Sequence, residues 1–294
     1  MEGPRQSTSI TSRTKMLPSI ASLCLLACLL RGTRGQNPCP GAADIAPCTC
    51  EQVAGEVTVD CSDVATADEL FNVFNNIAWP NNELTEFRLT NNDGVLDLPE
   101  GVFGEVSFQR LYVSGTSVAN LYPLSILPHL AARLEELRIM DSSLTDFPFV
   151  ILSPLRSLKV LDISGNAISA VPALQSSSLQ IFNVEFNQIT ALEEGWSTPN
   201  LKELHVGANP IQDIPAGLFG DFAGLEEFSC SSCALLGPTL RAGLLQFHSE
   251  ALIKVDLRIS DLTGLEDGAF TGLTNGTVIN LQLNDMTDLP EASV

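Results

Sequence analysis

Three side chains of this sequence belong to the types that form a nucleophilic triad: Asp162, His205 and Ser229. In such a triad a histidine takes the serine proton and a carboxylate orients the histidine. Each of the three, however, stands at the same place in a different repeat of the chain, on an open surface. Such a surface lacks the closed, dry pocket that activates a serine, so we expect no catalytic residues and no enzyme.

The other two histidines, His129 and His248, lie in the segments between repeats and far along the chain from His205. Metal sites need several ligands that converge on one point. We therefore expect no metal site and no cofactor.

Cysteines suggest a different chemistry. Cys24 and Cys28 lie in an N-terminal apolar run, and the remaining six form a group of four and a pair. The group is Cys39, Cys48, Cys50 and Cys61, and the pair is Cys230 and Cys233. In an oxidising compartment the group of four predicts two disulfides, whereas zinc is disfavoured because no histidine is near.

Cys230 and Cys233 fall on two inward-facing positions of a repeat strand. A redox Cys-x-x-Cys needs an exposed, electropositive site at the start of a helix. The pair is better explained as buried structural thiols, with a local disulfide as the open alternative.

The N-terminus has the features of a secretory leader. Basic residues precede the apolar run at 17–30, and Thr33 and Gly35 suit the −3 and −1 sites of a cleavage after residues 1–35. The run is shorter than the roughly 20 residues that span a bilayer as a helix, so a retained anchor is the weaker alternative. We expect a secreted, extracellular protein that starts near Gln36.

The formal net charge of the whole sequence is −20. Five basic residues lie in the predicted leader, so the remainder is more acidic still. An acidic surface repels phosphate and sulfate groups. This excludes nucleic acid and heparin-like polymers as favoured partners.

A pattern with the spacing Leu-x-x-Leu-x-Leu-x-x-Asn-x-Leu recurs every 21 to 27 residues. It begins at Leu84, Phe108, Leu134, Leu158, Leu179, Leu201, Leu225, Leu252 and Val278. This period is typical of leucine-rich repeats, in which each turn of a solenoid adds one strand to a parallel sheet. We predict an α/β fold: a curved horseshoe of about nine repeats over residues 84–294, with the sheet on its concave face.

The asparagine of the pattern is polar, yet it falls where the chain should be buried. In a solenoid it would bond backbone groups in the bend after each strand, which the sheet leaves unpaired. The predicted column is Asn92, Thr116, Ser142, Asn166, Asn187, Asn209, Cys233 and Ser260, with no clear member in the last turn.

A solenoid end exposes its core and needs a cap. Residues 36–83 contain the cysteine group and a helix signal, with a Thr66 and Glu69 capping box before an apolar stripe. They predict a disulfide-bonded N-terminal cap. At the other end we expect the C-terminal cap to be absent or incomplete, and membrane attachment only through a segment beyond Val294.

The segments between strands vary in length. Phe103, Phe219 and Phe270 are placed to stack as a spine beneath the convex side. The longest such segment predicts a helix that starts at Pro238, with His248 exposed on it.

The order Cys39, Cys48-x-Cys50, Cys61 before a set of repeats resembles the cysteine-rich N-terminal flank of extracellular leucine-rich-repeat proteins. In that flank the first cysteine pairs with the third and the second with the fourth. The resemblance implies disulfides Cys39–Cys50 and Cys48–Cys61.

More narrowly, "VDCSDV", "ADELFNVF" and "LPEGVFGEVSFQRLYVSGTSV" are similar to secreted arthropod leucine-rich-repeat proteins. That family is named after the non-catalytic subunit of a shrimp luciferase, Oplophorus-luciferin 2-monooxygenase. The similarity extends over residues 36–294. Because the oxidation there belongs to a different, small subunit, the resemblance implies an accessory or binding role.

Residues that alternate with the buried ones should face the concave surface and bind a protein ligand. The candidate binding residues are Tyr112, Arg138, Met140, Asp162, Asn183, Glu185, Phe186 and His205. Asn275, in Asn-Gly-Thr, is a candidate for N-glycosylation. The sequence predicts a secreted protein-binding scaffold, with a non-catalytic accessory subunit as its narrower form. The alternative is a receptor or adhesion ectodomain, or a matrix component.

Overall fold

The computed structural model describes Gly3, residues 37–127 and residues 129–287. The predicted leader, apart from Gly3, and the predicted start at Gln36 lie outside the described residues. The chain divides into two units, residues 1–37 and residues 38–294, and the elements below belong to the second.

Among the described residues, no helix is both long and apolar enough to cross a bilayer.

One large sheet contains eleven strands in the described part of the chain, ordered β1-β2-β3-β5-β7-β8-β9-β10-β11-β14-β17. All neighbours are parallel except β1 and β2, which form an antiparallel hairpin. The strands are β1 (Thr49–Val53), β2 (Glu56–Asp60), β3 (Glu83–Thr90), β5 (Ser107–Ser114), β7 (Glu136–Met140), β8 (Val160–Asp162), β9 (Ile181–Asn183), β10 (Glu203–His205), β11 (Glu227–Ser229), β14 (Lys254–Asp256) and β17 (Val278–Asn280). The predicted parallel sheet is confirmed.

Three two-stranded parallel ladders connect the segments between the main strands. Their pairs are β4 (Asp97–Leu98) with β6 (Asn120–Leu121), β12 (Thr239–Leu240) with β15 (Gly264–Leu265), and β13 (Leu245–Gln246) with β16 (Phe270–Thr271). Each ladder joins consecutive turns, so strands hold the turns together on a second side.

Helical structure is sparse in the described part of the chain. There it consists of α1 (Ala42–Ile45), α2 (Ala67–Asn75), α3 (Pro123–Ile126) and two 3₁₀ turns, Phe149–Leu152 and Ala234–Leu236. In α2, the Thr66 hydroxyl accepts the Glu69 N–H at 3.2 Å, and the Glu69 carboxylate accepts the Ala65 N–H at 2.7 Å. The predicted Thr66 cap is confirmed, whereas Glu69 bonds Ala65, the residue before the N-cap, instead of Thr66. The cap fixes the helix whose Leu70 packs into the core.

The cap disulfides are Cys39–Cys50 and Cys48–Cys61, the pairing that the resemblance implied. They connect the segment before β1 to β1, and that same segment to the residue after β2. β2 also pairs in parallel with β3. The cap therefore continues directly into the sheet.

Cys230 and Cys233 are buried, as expected, but they form a disulfide instead of remaining thiols. Cys233 stands at the asparagine position of its turn. The Ser260 hydroxyl of the next turn accepts its N–H at 3.1 Å and donates to the Cys230 carbonyl at 3.2 Å. The Ser260 hydroxyl thus makes the bonds to the preceding turn that an asparagine makes elsewhere.

Asn166 shows how the other turns close. Its amide nitrogen donates to the carbonyls of Ile139, one turn earlier, and Ile163, at 2.7 and 3.0 Å. Its amide oxygen accepts the N–H of Leu144, at 3.1 Å, also from the preceding turn. Each asparagine thus ties two turns together. The same arrangement recurs at Asn187, Asn209 and Asn284.

Asn284 corrects the predicted register of the last turn. The pattern was placed at Val278, but β17 aligns Ile279 with the buried Val255. Val278 and Leu283 are consequently exposed, and Asn284 fills the asparagine position that the sequence left unassigned. A slide of two residues preserves strand alternation, so only the asparagine distinguishes the two registers.

The predicted helix from Pro238 is wrong. Residues 239–246 form the short strands β12 and β13, which pair with the following turn. Leu240, Leu244 and Leu245 are all buried, and Gly243 between them has φ of 71°, outside the helical region. The segment pairs with the following turn along two short strands, and a helix with only one buried face could not make these pairings.

The phenylalanine spine is also different from the prediction. Phe103, Phe219 and Phe270 are buried, but no ring contact joins them among the described residues. Phe103 packs edge-on against Phe87 and its neighbours, whereas Phe219 belongs to a separate cluster with Phe228. Phe103 and Phe219 lie five repeats apart, and each packs against rings of its own part of the solenoid, so separate clusters replace one stack.

The asparagine column yields a stability prediction. Asn187→Ala removes a buried acceptor for the Ile168 N–H and a donor to the Ile163 and Val184 carbonyls. We expect the free energy of unfolding to fall by about 3 kcal/mol, since each buried unpaired group costs about 1–3 kcal/mol. Urea unfolding followed by circular dichroism measures it.

Asn200→Ala is the matched control, because Asn200 is exposed and donates only to the Ser177 carbonyl, at 2.7 Å. Its loss should stay below about 1 kcal/mol. Equal losses for the two variants would contradict the assigned role of the column.

Candidate functional site

Each main strand alternates buried residues with residues that face outward from the sheet. The central outward column is Asp60, Arg88, Tyr112, Arg138, Asp162, Asn183, His205, Ser229, Asp256 and Asn280. Its last member is Asn280, as the register of the last turn requires. The sheet face therefore carries one defined side chain per turn.

At the first turns the face is organised around Glu86. Its carboxylate accepts from the Arg110 guanidinium at 2.9 Å and is paired with Arg88. Arg110 also reaches Glu56 at 2.9 Å. Burial acts to raise the pKa of Glu86, but the hydrogen bonds from Arg110 and Arg88 outweigh it and hold that pKa below the ordinary value. Glu86 is charged at neutral pH.

In the middle turns the ion pairs centre on Arg138, which stands in the same column as Arg88. Arg138 contacts Glu136 at 3.1 Å and Asp162 at 3.5 Å. The amide of Asn183 donates to the same Asp162 carboxylate at 3.3 Å. Of the predicted binding residues, Arg138, Asp162 and Asn183 thus form one connected group, in which Asp162 is itself buried.

Toward the last turns Lys254 lies between two carboxylates, Glu227 at 2.6 Å and Asp256 at 3.6 Å. The hydrogen bond to Glu227 raises the pKa of Lys254 above its ordinary value. Arg258 pairs with the other side of Asp256 at 2.9 Å. Lys254 and Arg258 are thus both held in place by carboxylates of the same face.

The three triad-type residues do not act together. His205 contacts Glu203 at 3.2 Å, and the Ser229 hydroxyl donates to Glu185 at 3.0 Å. Asp162 accepts from the N–H and the hydroxyl of Ser164 and bonds no histidine. Among the described residues no group of three potential metal ligands converges.

The aromatic and apolar members differ in exposure. Tyr112 and Met140 are half-buried, whereas Phe186 stands 66% exposed beside Glu185. Ile181 is half-buried, and Val160, its partner on the neighbouring strand, is buried. Phe186 is therefore the most accessible apolar side chain of the predicted set.

Sequence reasoning missed Glu86 and Arg110, although they carry the densest ion pairs of the face. They lie two residues before Arg88 and Tyr112, so they face the same side of the sheet. Alternation by two along each strand was the signal that could have found them.

Asn275 is exposed in a turn before β17. The Thr277 hydroxyl accepts the Thr274 N–H at 3.0 Å and donates to the Leu252 carbonyl at 2.8 Å. The threonine thus shapes the turn that presents the asparagine to solvent.

Known leucine-rich-repeat proteins are similar to this chain in sequence. A leucine-rich-repeat family profile, described as "Leucine Rich repeat", matches residues 155–171. The Oplophorus-luciferin 2-monooxygenase non-catalytic subunit of Oplophorus gracilirostris is 29% identical over 260 residues, which is 87% of this chain and 65% of that protein. The expected resemblance is confirmed. The chain thus spans less than two thirds of that relative, and its arthropod origin stays a prediction.

Two further relatives cover less of this chain. Mimecan of Homo sapiens is 32% identical over 42% of this chain and 40% of its own length. The transforming growth factor beta activator LRRC33 of Danio rerio is 26% identical over 72% of this chain and 27% of its own length.

Solved structures agree in fold. The octameric complex of Latrophilin 3, Unc5D and FLRT2 contains a chain with a TM-score of 0.57 at 19% identity, covering 81% of this chain and 83% of that one. The Toll–Spatzle complex of Drosophila gives 0.55 at 15% identity, covering 86% and 44%. At such identity they show the fold alone, a leucine-rich-repeat solenoid.

Glu86 yields a prediction of pH dependence. Because its folded pKa is lowered, the pairs with Arg88 and Arg110 stabilise the fold above the unfolded pKa and are lost as pH falls through the folded one. Glu86→Gln should lower the free energy of unfolding by about 1–2 kcal/mol at pH 7. The difference from wild type should shrink at about pH 3.

Urea unfolding of both proteins between these pH values measures the difference. Glu226→Gln is the control, since Glu226 pairs with Lys202 at 2.7 Å between more exposed side chains, where solvent screens the attraction, so its loss should change stability little. A difference at Glu86 that does not change with pH would contradict the assignment.

Proposed function

We propose that this protein is an extracellular, non-catalytic scaffold that binds a protein partner on the outward face of its large sheet. The observation that carries the proposal is the group around Arg138, whose guanidinium is held by Glu136 and Asp162. The half-buried Tyr112 lies on the adjacent strand β5, and the half-buried Asn183, two strands away on β9, donates to Asp162. Tyrosine and arginine in fixed positions are the residues that contribute most at protein interfaces.

Preorganisation supports this role. A side chain that must be ordered on binding costs about 0.5–1.5 kcal/mol, and Arg138 is already ordered by its two carboxylates. His205, two strands beyond Asp162, is similarly fixed by Glu203. The face therefore presents directed charges and a tyrosine at low entropic cost, over an area that a protein surface can cover.

The narrower proposal is an accessory subunit of an extracellular complex. It is supported by the similarity to a relative named as a non-catalytic subunit. The leader-like residues 1–35 and the disulfides of the cap support an extracellular location, because disulfides persist in oxidising compartments. The proposed organisation is the leader, the cap over residues 36–83 and the repeats from residue 84.

A receptor ectodomain or matrix component is the second candidate. It is favoured by the similarity to LRRC33 and mimecan. Recovery of a stoichiometric small partner whose own activity changes when this chain is removed would favour the accessory subunit. Recovery with a membrane or matrix fraction would favour the second candidate.

The test of the binding face is a triple variant, Tyr112→Ala, Arg138→Ala, His205→Ala. A partner is first isolated from the source secretion on the tagged wild-type chain, and its affinity for each purified variant is then measured by biolayer interferometry. We expect at least about a tenfold loss, because truncating interface anchors typically costs more than about 1 kcal/mol each.

The chain offers a control of identical chemistry. Tyr122, Arg156 and His129 are exposed and lie on the segments between main strands. Their triple alanine variant should bind as wild type does. An unchanged affinity in the first variant, or equal losses in both, would overturn the proposed face.

We also propose that Asn275 is glycosylated in a secreted product. Secretion from a eukaryotic cell should give a chain that an N-glycanase shortens in one step on a denaturing gel, and Asn275→Gln should abolish that step. Thr277→Ser keeps the acceptor motif and should retain it. No mobility change in the wild type would refute the site.

A further inference from the structure

The residue just before each asparagine position has a left-handed backbone. Its φ lies between 46° and 65° in nine consecutive turns, at Asn91, Gly115, Asp141, Gly165, Phe186, Ala208, Ser232, Ile259 and Leu283. Its N–H donates to the next turn, as from Phe186 to the Gly207 carbonyl at 3.1 Å and from Ile259 to the Gln282 carbonyl at 3.2 Å. The conformation is a requirement of the solenoid and not an accident of one turn.

Residue choice at this place changes along the chain. The first four turns use Asn91, Gly115, Asp141 and Gly165, the types that adopt a left-handed backbone at least cost. Phe186, Ile259 and Leu283 break that rule, and a β-branched isoleucine there is a pronounced outlier. Backbone strain of this kind is typical of functional positions.

Burial of these side chains does not compensate for the backbone strain. Phe186, Ile259 and Leu283, which we call the apolar row, are 66%, 49% and 77% exposed. Ala208 and Ser232 stand at the same place in the two intervening turns and are small. The free protein thus holds large apolar side chains in an unfavourable conformation without burying them.

The surroundings of the apolar row are acidic. Asp261 and Asp285 follow Ile259 and Leu283 by two residues and are exposed, and neither has a cation within salt-bridge distance among the described residues. Glu185 precedes Phe186 directly. Arg258, which directly precedes Ile259, is already paired with Asp256. A complementary surface would combine apolar groups with positive charge.

Spacing limits the form of that surface. Neighbouring strands lie about 4.8 Å apart, and Phe186 and Ile259 follow strands three places apart, so roughly 15 Å separates their turns. Ile259 and Leu283 follow adjacent strands. An α-helix advances 5.4 Å per turn, so apolar residues on one face of a helix of about four turns would meet all three members.

We propose that the apolar row is a docking edge for an amphipathic segment of the partner protein with apolar and Lys/Arg faces. The inference rests on the proposed protein-binding function but places this contact at the edge where strands end, apart from the Arg138 group. Asn275 precedes its strand and so lies at the opposite edge, where a glycan leaves the row open.

The test uses the variant Phe186→Gly, Ile259→Gly, Leu283→Gly. Glycine accepts the left-handed backbone, so the melting temperature should rise while binding is lost, which separates lost contact from unfolding. The matched control is Leu96→Gly, Leu124→Gly, Val150→Gly, three exposed apolar residues without positive φ, which should lower the melting temperature.

The probe is a fluorescent 14-residue Leu/Lys amphipathic helix, with the Leu/Glu version as its counterpart, followed by anisotropy. The wild type should bind only the Leu/Lys peptide. The row variant should weaken that affinity at least tenfold, and the control variant should leave it within twofold. Unchanged affinity in the row variant, or equal binding of the Leu/Glu peptide, would overturn the proposal.

The sheet-face variant Tyr112→Ala, Arg138→Ala, His205→Ala separates the two proposals. If the apolar row is the docking edge, this variant should bind the Leu/Lys peptide as the wild type does. If instead it loses the peptide while the row variant retains it, the row proposal is overturned and the sheet face stands.

Discussion

The structure depends on one recurring interaction, the inward-facing amide that closes the turns at Asn92, Asn166, Asn187, Asn209 and Asn284. Asn166 bonds carbonyls of its own turn and of the turn before it, and it accepts an N–H from that earlier turn. Because an unpaired buried peptide group costs about 1–3 kcal/mol, the amide position cannot drift relative to the strands. This sets the rotation from each turn to the next and therefore the alignment of the whole sheet.

That alignment decides what the surface can do. Parallel pairing in constant register places one outward side chain per turn in a straight column, so Glu86, Arg110 and Arg88 meet although two turns contribute them. The resulting ion pairs fix charged groups in place on the sheet face. Our proposal of a protein-binding face rests on groups fixed in this way.

The same closure imposes a cost on the residue before each asparagine. The backbone must turn left-handed there so that its N–H reaches the next turn, as it does at Phe186. Glycine, asparagine and aspartate adopt a left-handed backbone at low cost, whereas Phe186 and Ile259 adopt it at a higher cost. The first four turns place residues there that adopt this backbone at low cost, whereas later turns place exposed apolar residues there. We attribute this difference to the partner binding proposed above.

The sequence alone determined the repeat, the inward leucines, the asparagine positions before the last turn and the Thr66 cap, because each can be recognised from residue types within one turn. It left open whether Cys230 and Cys233 pair, since their spacing allows both thiols and a disulfide. Tertiary structure decided the rest. The register that selects Asn284 and the short strands within residues 239–246 depend on contacts with the adjacent turn. Those contacts join residues more than twenty positions apart, where local periodicity allows two registers or two conformations and only packing between turns selects one.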